Sequence, residues 1–203
     1  MITATNVWSQ CNITFPANSG AVPAQGSTIY FTDCDRNGLE VVSWTVPTAS
    51  STGSCGAVSV NQGGGPSNGS SMSPGNYVVN YTAQAVDISN FSIVNVSYSF
   101  NVVVQSASPT AGGLTNAQTI CAGTDPAIIA SAVDGTQGSG NGTVSAITYE
   151  WQYSIDNSTW LPIAGETAST YDPTSLSVTT YYRRRTVVNF ANASCTGGIT
   201  SSY

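Results

Sequence analysis

Residues 77–86 read YVVNYTAQAV, and they sort cleanly if the chain is extended, because successive side chains of a strand point to opposite sides. Tyr77, Val79, Tyr81, Ala83 and Ala85 fall on one face; Val78, Asn80, Thr82 and Gln84 fall on the other. That pattern suits a strand covering one side of a two-sheet sandwich. Comparable β-rich runs recur between clusters of turn residues: STIYFT, EVVSWTV, AVSV and FSIVNVSYSFNVVV before residue 105, then QTICA, AIIASAV, AITYEWQYS, STWLPIA, STYDP and TYYRRRTVV after it. Leucine stands only at Leu39, Leu114, Leu161 and Leu176, whereas Val, Thr, Ser, Tyr, Gly and Asn abound, an inventory of strands and turns rather than helices. The chain reads as all-β, with NQGGGPSNGSSMSPGN as a long irregular loop.

The segment QSASPTAGG carries no charge, is rich in Ser, Pro and Gly, and reads as a linker. It divides the 203 residues into two modules, 1–107 and 108–203. Each holds short strands at the size and spacing of an immunoglobulin-like β-sandwich, so the expected architecture is two such domains in tandem.

Charge narrows the function. Charged residues make up 7% of the chain, there is no Lys or His, and the basic residues are Arg36, Arg183, Arg184 and Arg185. A formal charge of −6 repels phosphate, so nucleic acid is excluded as a partner. Without His the commonest general base and the commonest zinc ligand are missing, which argues against an enzyme. No apolar run reaches the roughly 20 residues of a membrane span. MITATNVWSQ lacks the basic start and apolar centre of a signal peptide, which suggests a segment of a longer chain.

Several residues are candidates for particular chemistry. DCDRNG, residues 33–38, opens like a calcium loop, with Asp33, Asp35, Asn37 and Glu40 as candidate ligands. The twelfth place, which should hold a bidentate acid, is Trp44, so the alternative is a polar turn closed by Asp and Asn side chains. No other cofactor is expected. Cys121 and Cys195 flank the second module as a sandwich's bridging pair does, with Trp151 between them as the core tryptophan, and they are expected to form a disulfide. Such bonds imply an oxidising, extracellular setting. Tyr149, Trp151 and Tyr153 share one strand face and read as core. Trp160, after the turn IDNST, is the aromatic side chain placed for stacking on a sugar. Alternation sets Arg183 and Arg185 opposite Arg184, pairing with a carboxylate such as Glu150 or forming an anion or acidic-glycan site; Tyr181 or Tyr182 would be the corner tyrosine. The Asn-x-Ser/Thr sequons follow from the composition and read as ordinary polar residues.

VVSWTVPTASSTGSCGAVSV, PGNYVVNYTAQAVD and the closing YSFNVVV make the first module resemble the hyalin repeat, an immunoglobulin-like domain. That resemblance implies a bridge between Cys34 and Cys55. It also implies that Cys11 is a free thiol, because the place of its family partner holds Tyr98. PTAGGLTNAQTICAGTDPAIIAS, ITYEWQYSIDNSTWLPIAGETASTYDP and TTYYRRRTVVN make the second module resemble a repeat of Bacteroidota surface proteins, including giant gliding adhesins exported by type IX secretion. In that family the chain runs on beyond GGITSSY, so the second sandwich is expected to lack its last strand. The resemblance implies a non-enzymatic, cell-surface repeat segment, stalk or binding surface of an adhesin. Its partners would be neighbouring repeats of the same polypeptide and a surface polysaccharide or abiotic surface. The alternatives are a carbohydrate- or ligand-binding accessory module of a secreted enzyme, and a filament subunit in which MITATNV or the missing final strand of the second module completes a neighbour by strand addition.

Overall fold

The computed structural model describes residues 9–15, 22–34, 37–115 and 117–200, with Ile199 and Thr200 described by their backbone alone. Asp35, Arg36 and the opening MITATNV segment lie outside the described residues. Every regular element is a strand: β1 (Asn12–Thr14), β2 (Thr28–Asp33), β3 (Glu40–Val41), β4 (Ser50–Thr52), β5 (Ser59–Gly64), β6 (Ser71–Met72), β7 (Gly75–Asp87) and β8 (Ser92–Ala107), followed by β9 (Gly113–Leu114), β10 (Ser131–Val133), β11 (Gly140–Asn141), β12 (Ala146–Ser154), β13 (Leu161–Pro162), β14 (Tyr181–Asn189) and β15 (Ser194–Thr200). The protein is all-β and built as sandwiches.

The chain forms two compact units, but not at the expected border. The first comprises the described residues up to Phe31 together with Leu39–Val104; the second takes Thr32–Gly38 and the described residues from Gln105 onward. QSASPTAGG is therefore no free linker. Its first three residues finish β8, where Gln105 and Ala107 are buried, and Ser106 and Ala107 pair with Asn141 and Gly140 of β11. Polar composition suggested solvent, but the first three residues are held in a ladder, and the Ser108 and Thr110 N–H groups donate to the Gln137 and Thr136 carbonyls.

In the first unit β7 and β8 form a long antiparallel pair, extended by β5 beyond β7 and by β2 beyond β8. The alternation in YVVNYTAQAV holds as expected: Val79, Tyr81, Ala83 and Ala85 are buried, Tyr77 is half-buried, and Val78, Asn80 and Gln84 face outward. Across from this sheet lie the short pairs β1–β4 and β3–β6. Between the layers Val42 and Trp44 meet Val79, Tyr81, Tyr98, Phe100, Val102 and Val104. Trp44 Nε1 donates to Tyr81 Oη at 3.0 Å, so the twelfth place of the calcium pattern is a core position. The expected loop at residues 61–76 is partly ordered as the end of β5, as β6 and as the start of β7.

In the second unit the sheet order is β13-β12-β14-β15. AITYEWQYS corresponds to β12, and GGIT lies within β15, which supplies an edge strand beside β14. Leu114, Ile129, Tyr149, Trp151 and Tyr182 form the core, with Ile163, Tyr171 and Leu176 packed against it. A second cluster gathers Ala107, Val188, Phe190 and Cys195 with Cys34 and Val144. Tyr153, expected in the core, is exposed at the end of β12. QTICA is not a strand: Gln118 folds back so that its amide donates to the Ala127 carbonyl at 2.7 Å and accepts from the Ala127 N–H at 2.8 Å.

The cysteine pairing corrects both expected bridges. Cys11 is joined to Cys55, and Cys34 to Cys195, while Cys121 is an exposed free thiol. The β1–β4 ladder, with Asn12 opposite Thr52 and the Ser54 N–H donating to the Ser9 carbonyl, sets Cys11 and Cys55 at a Cα separation of 4.7 Å. Cys34 lies in the segment that belongs to the second unit, 5.1 Å by Cα from Cys195 in β15. Cys121 sits in the irregular QTICA segment, while the Trp151 ring packs on Tyr171 at 5.5 Å.

Candidate functional site

The three consecutive arginines divide as strand alternation requires. In β14, Tyr182, Arg184, Thr186 and Val188 are buried, and Arg183 and Arg185 are half-buried on the outer face. The register places Glu150 opposite Arg185 and Gln152 opposite Arg183. The expected ion pair is present: Arg185 Nη1 donates to Glu150 Oε2 at 3.4 Å. Gln152 fills the adjacent place, with its Nε2 donating to Glu150 Oε1 at 2.8 Å and its Oε1 accepting from Arg183 Nε at 2.6 Å.

Trp160 completes this row. The turn after β12 is fixed by Asp156, whose carboxylate accepts from the Ser158 and Thr159 N–H groups and the Ser154 hydroxyl, while Asn157 takes a φ of 54°. Those bonds hold the Asp156 carboxyl far below the ordinary carboxylate range. Leaving the turn, the chain delivers Trp160 beneath Arg183, whose Cζ lies 4.3 Å from the ring centroid. The indole expected to be open is thus half-buried, with a guanidinium over it. Burial first, and Arg185 second, lower the pKa of Arg183.

Arg184, on the inner face, was not legible as a core residue. Its guanidinium is fully buried, 4.1 Å from the Tyr149 ring centroid and 5.8 Å from that of Trp151, and it donates to the Ser169 and Val133 carbonyls. Its Nε is buried and has no hydrogen-bond partner among the described residues. Burial lowers its pKa and raises that of Tyr149; Tyr182 is pushed up to about 12 by burial and by Tyr171 and Tyr153.

At DCDRNG the carboxylate of Asp33 is buried and accepts from the Gly38 N–H at 3.1 Å, closing the turn on itself. Glu40 lies in β3, in register with Met72, and Asn37 is exposed. Asp35 is outside the described residues, among which no three His, Cys, Asp or Glu side chains gather as a metal set.

A groove of about 510 Å³ lies beside the free thiol, lined among others by Ile120, Cys121, Pro126, Leu176, Val178 and Tyr182. Among the described residues, no Asp, Glu, Lys or Arg side chain lines it.

These features define a tandem β-sandwich protein with paired cysteines and a guanidinium–indole row on an open sheet face. Residues 110–202 match a family described as a domain of unknown function, DUF8696, a span covering β9 to β15. Comparison with curated proteins finds no match. Among solved structures, the crystal structure of domains A168–A170 from titin is similar, with 14% sequence identity and a TM-score of 0.45. The alignment takes in 97% of this chain, which spans 66% of the length of that titin chain.

Proposed function

We propose that the chain is a non-enzymatic repeat segment of a large bacterial cell-surface adhesin, acting as stalk or binding surface in attachment or gliding. The observation that carries this reading is two successive β-sandwich units whose cysteines are paired within each unit, Cys11–Cys55 and Cys34–Cys195. Cystines of this kind persist outside the reducing cytosol. The resemblance of the second unit's motifs to Bacteroidota surface repeats supports the same setting. Modules in series hold a surface through many weak contacts, whose avidity grows with copy number. Beads carrying arrays of increasing copy number test this directly on polysaccharide-coated and bare surfaces. Retention rising steeply with copy number is expected; no retention at any copy number overturns the reading.

A second reading, an accessory ligand-binding module, is favoured by the half-buried row of Trp160, Arg183 and Arg185 on the outer face of β14. It requires that a single copy bind a defined glycan, which a glycan array reads without any array of modules.

A further inference from the structure

Only one side of the β12–β14 register is neutralised. Arg185 faces a carboxylate, Glu150, whereas Arg183 faces an amide, Gln152. A ladder serving merely to satisfy two arginines would carry an acid at both places. Among the described residues, Arg185–Glu150 is the one ion pair, so this outer face holds two guanidiniums against a single carboxylate. Among the described residues the buried Arg185 Nε has no partner, and the bond from Arg185 Nη1 to Glu150 is long at 3.4 Å. Positive charge is left over here, in a chain whose formal charge is −6.

Arg183 is also pre-positioned. Trp160 holds the plane of its guanidinium, and Gln152, itself 8% exposed and bonded to Glu150, holds its Nε. Neither contact uses the terminal amino groups, which make no hydrogen bond to a described residue. A guanidinium fixed at Nε presents its outer edge as a planar fork of donors, matching the two oxygens of a carboxylate. Ordering this long side chain, which usually opposes ion-pair formation, has been accomplished by folding.

We infer that the outer face of β12 and β14 is an anion site that takes a carboxylate of an extracellular polymer, with the Arg183 fork as its donor and Arg185 as supporting charge. The inference rests on the second reading and names the chemistry of its ligand. Charge complementarity is local: the whole chain repels a polyanion, so binding to one has to come from a defined site.

Biolayer interferometry of the 203-residue chain on immobilised polygalacturonate tests this, with neutral dextran and dextran sulfate as the other arms. Gln152→Glu sets a carboxylate opposite Arg183 and is expected to weaken binding about tenfold; Glu150→Gln removes the existing one and is expected to strengthen it about threefold. A response of opposite sign in two near-isosteric variants does not arise from damaged folding, and equal melting midpoints complete the control. Binding that ignores both substitutions, fails on polygalacturonate, or is stronger on dextran sulfate overturns the carboxylate assignment. Binding to neutral dextran that is lost in Trp160→Ala also overturns it, while leaving the glycan-module reading in place.

Discussion

Arg184 shows how a single side chain takes over a core position. Its guanidinium lies between Tyr149 and the carbonyls of Val133 and Ser169, tying the end of β10 and an irregular segment to the middle of β14. No carboxylate pairs with it among the described residues, so removing it orphans carbonyls rather than a charge. Arg184→Ala, which also leaves a void, is expected to cost about 3 kcal/mol in urea unfolding, and Arg184→Met, which refills the volume, about 1 kcal/mol. Two aspartates give the molecule its acid limb. Asp87 is held below 3.8 by the Ser89 hydroxyl and then by the Cys11 and Ser89 N–H groups, and Asp156 is lowered by Thr159, Ser158 and Ser154. Because both carboxyls are lower in the folded chain than in the unfolded one, their stabilisation is complete above about pH 4 and is lost as pH falls through the folded values. Asp156→Asn should therefore lower the melting midpoint at neutral pH, and its gap to the parent should close as the pH is taken below about 4. At this scale alternation revealed the outward faces of Arg183 and Arg185 and the partner Glu150. It could not reveal Gln152 opposite Arg183, because cross-strand register depends on the fold and not on either strand's own pattern.

Among the elements, the strands that were legible along most of their length are β2, β7, β8, β12 and β14. QTICA misled because its apolar residues belong to a segment where a side chain replaces a ladder, the Gln118 amide bonding Ala127 from both ends. Asn68 does the same opposite Trp44, with Oδ1 accepting from the Trp44 N–H at 2.9 Å and Nδ2 donating to the Trp44 carbonyl at 2.8 Å. An amide side chain standing in for a strand leaves no periodic signal in the sequence. Asn68→Asp keeps the acceptor and exchanges the donor for a charge facing a carbonyl; it is expected to cost about 2 kcal/mol, against about 1 for an ordinary lost hydrogen bond, by thermal or urea melting. The turn after β5 illustrates backbone specification: Gly65 has a φ of 86°, and a Cβ there would collide with the Val78 carbonyl.

For the whole molecule, two β-sandwich units were legible from strand count and turn spacing, and their membership was not. Composition marks where a chain is polar, but assignment of Thr32–Gly38 to the second unit is a tertiary fact, and the cysteine pairing follows from it. Cys34–Cys195 spans 161 positions. If handles upstream of Cys11 and downstream of Cys195 are drawn apart, the pull reaches Cys34 through both arms of the loop closed by Cys11–Cys55, crosses the Cys34–Cys195 bridge, and leaves residues 56–194 slack. In optical tweezers the oxidised chain should therefore yield only its short outer stretches, and reductant should release roughly 550 Å of added contour, the reach of 161 extended residues. Equal lengths before and after reduction would show that the pull takes another route. With the bridge closed, residues 56–194 are bypassed by the load: tugged by its ends the chain gives only at its margins, and that span cannot unspool.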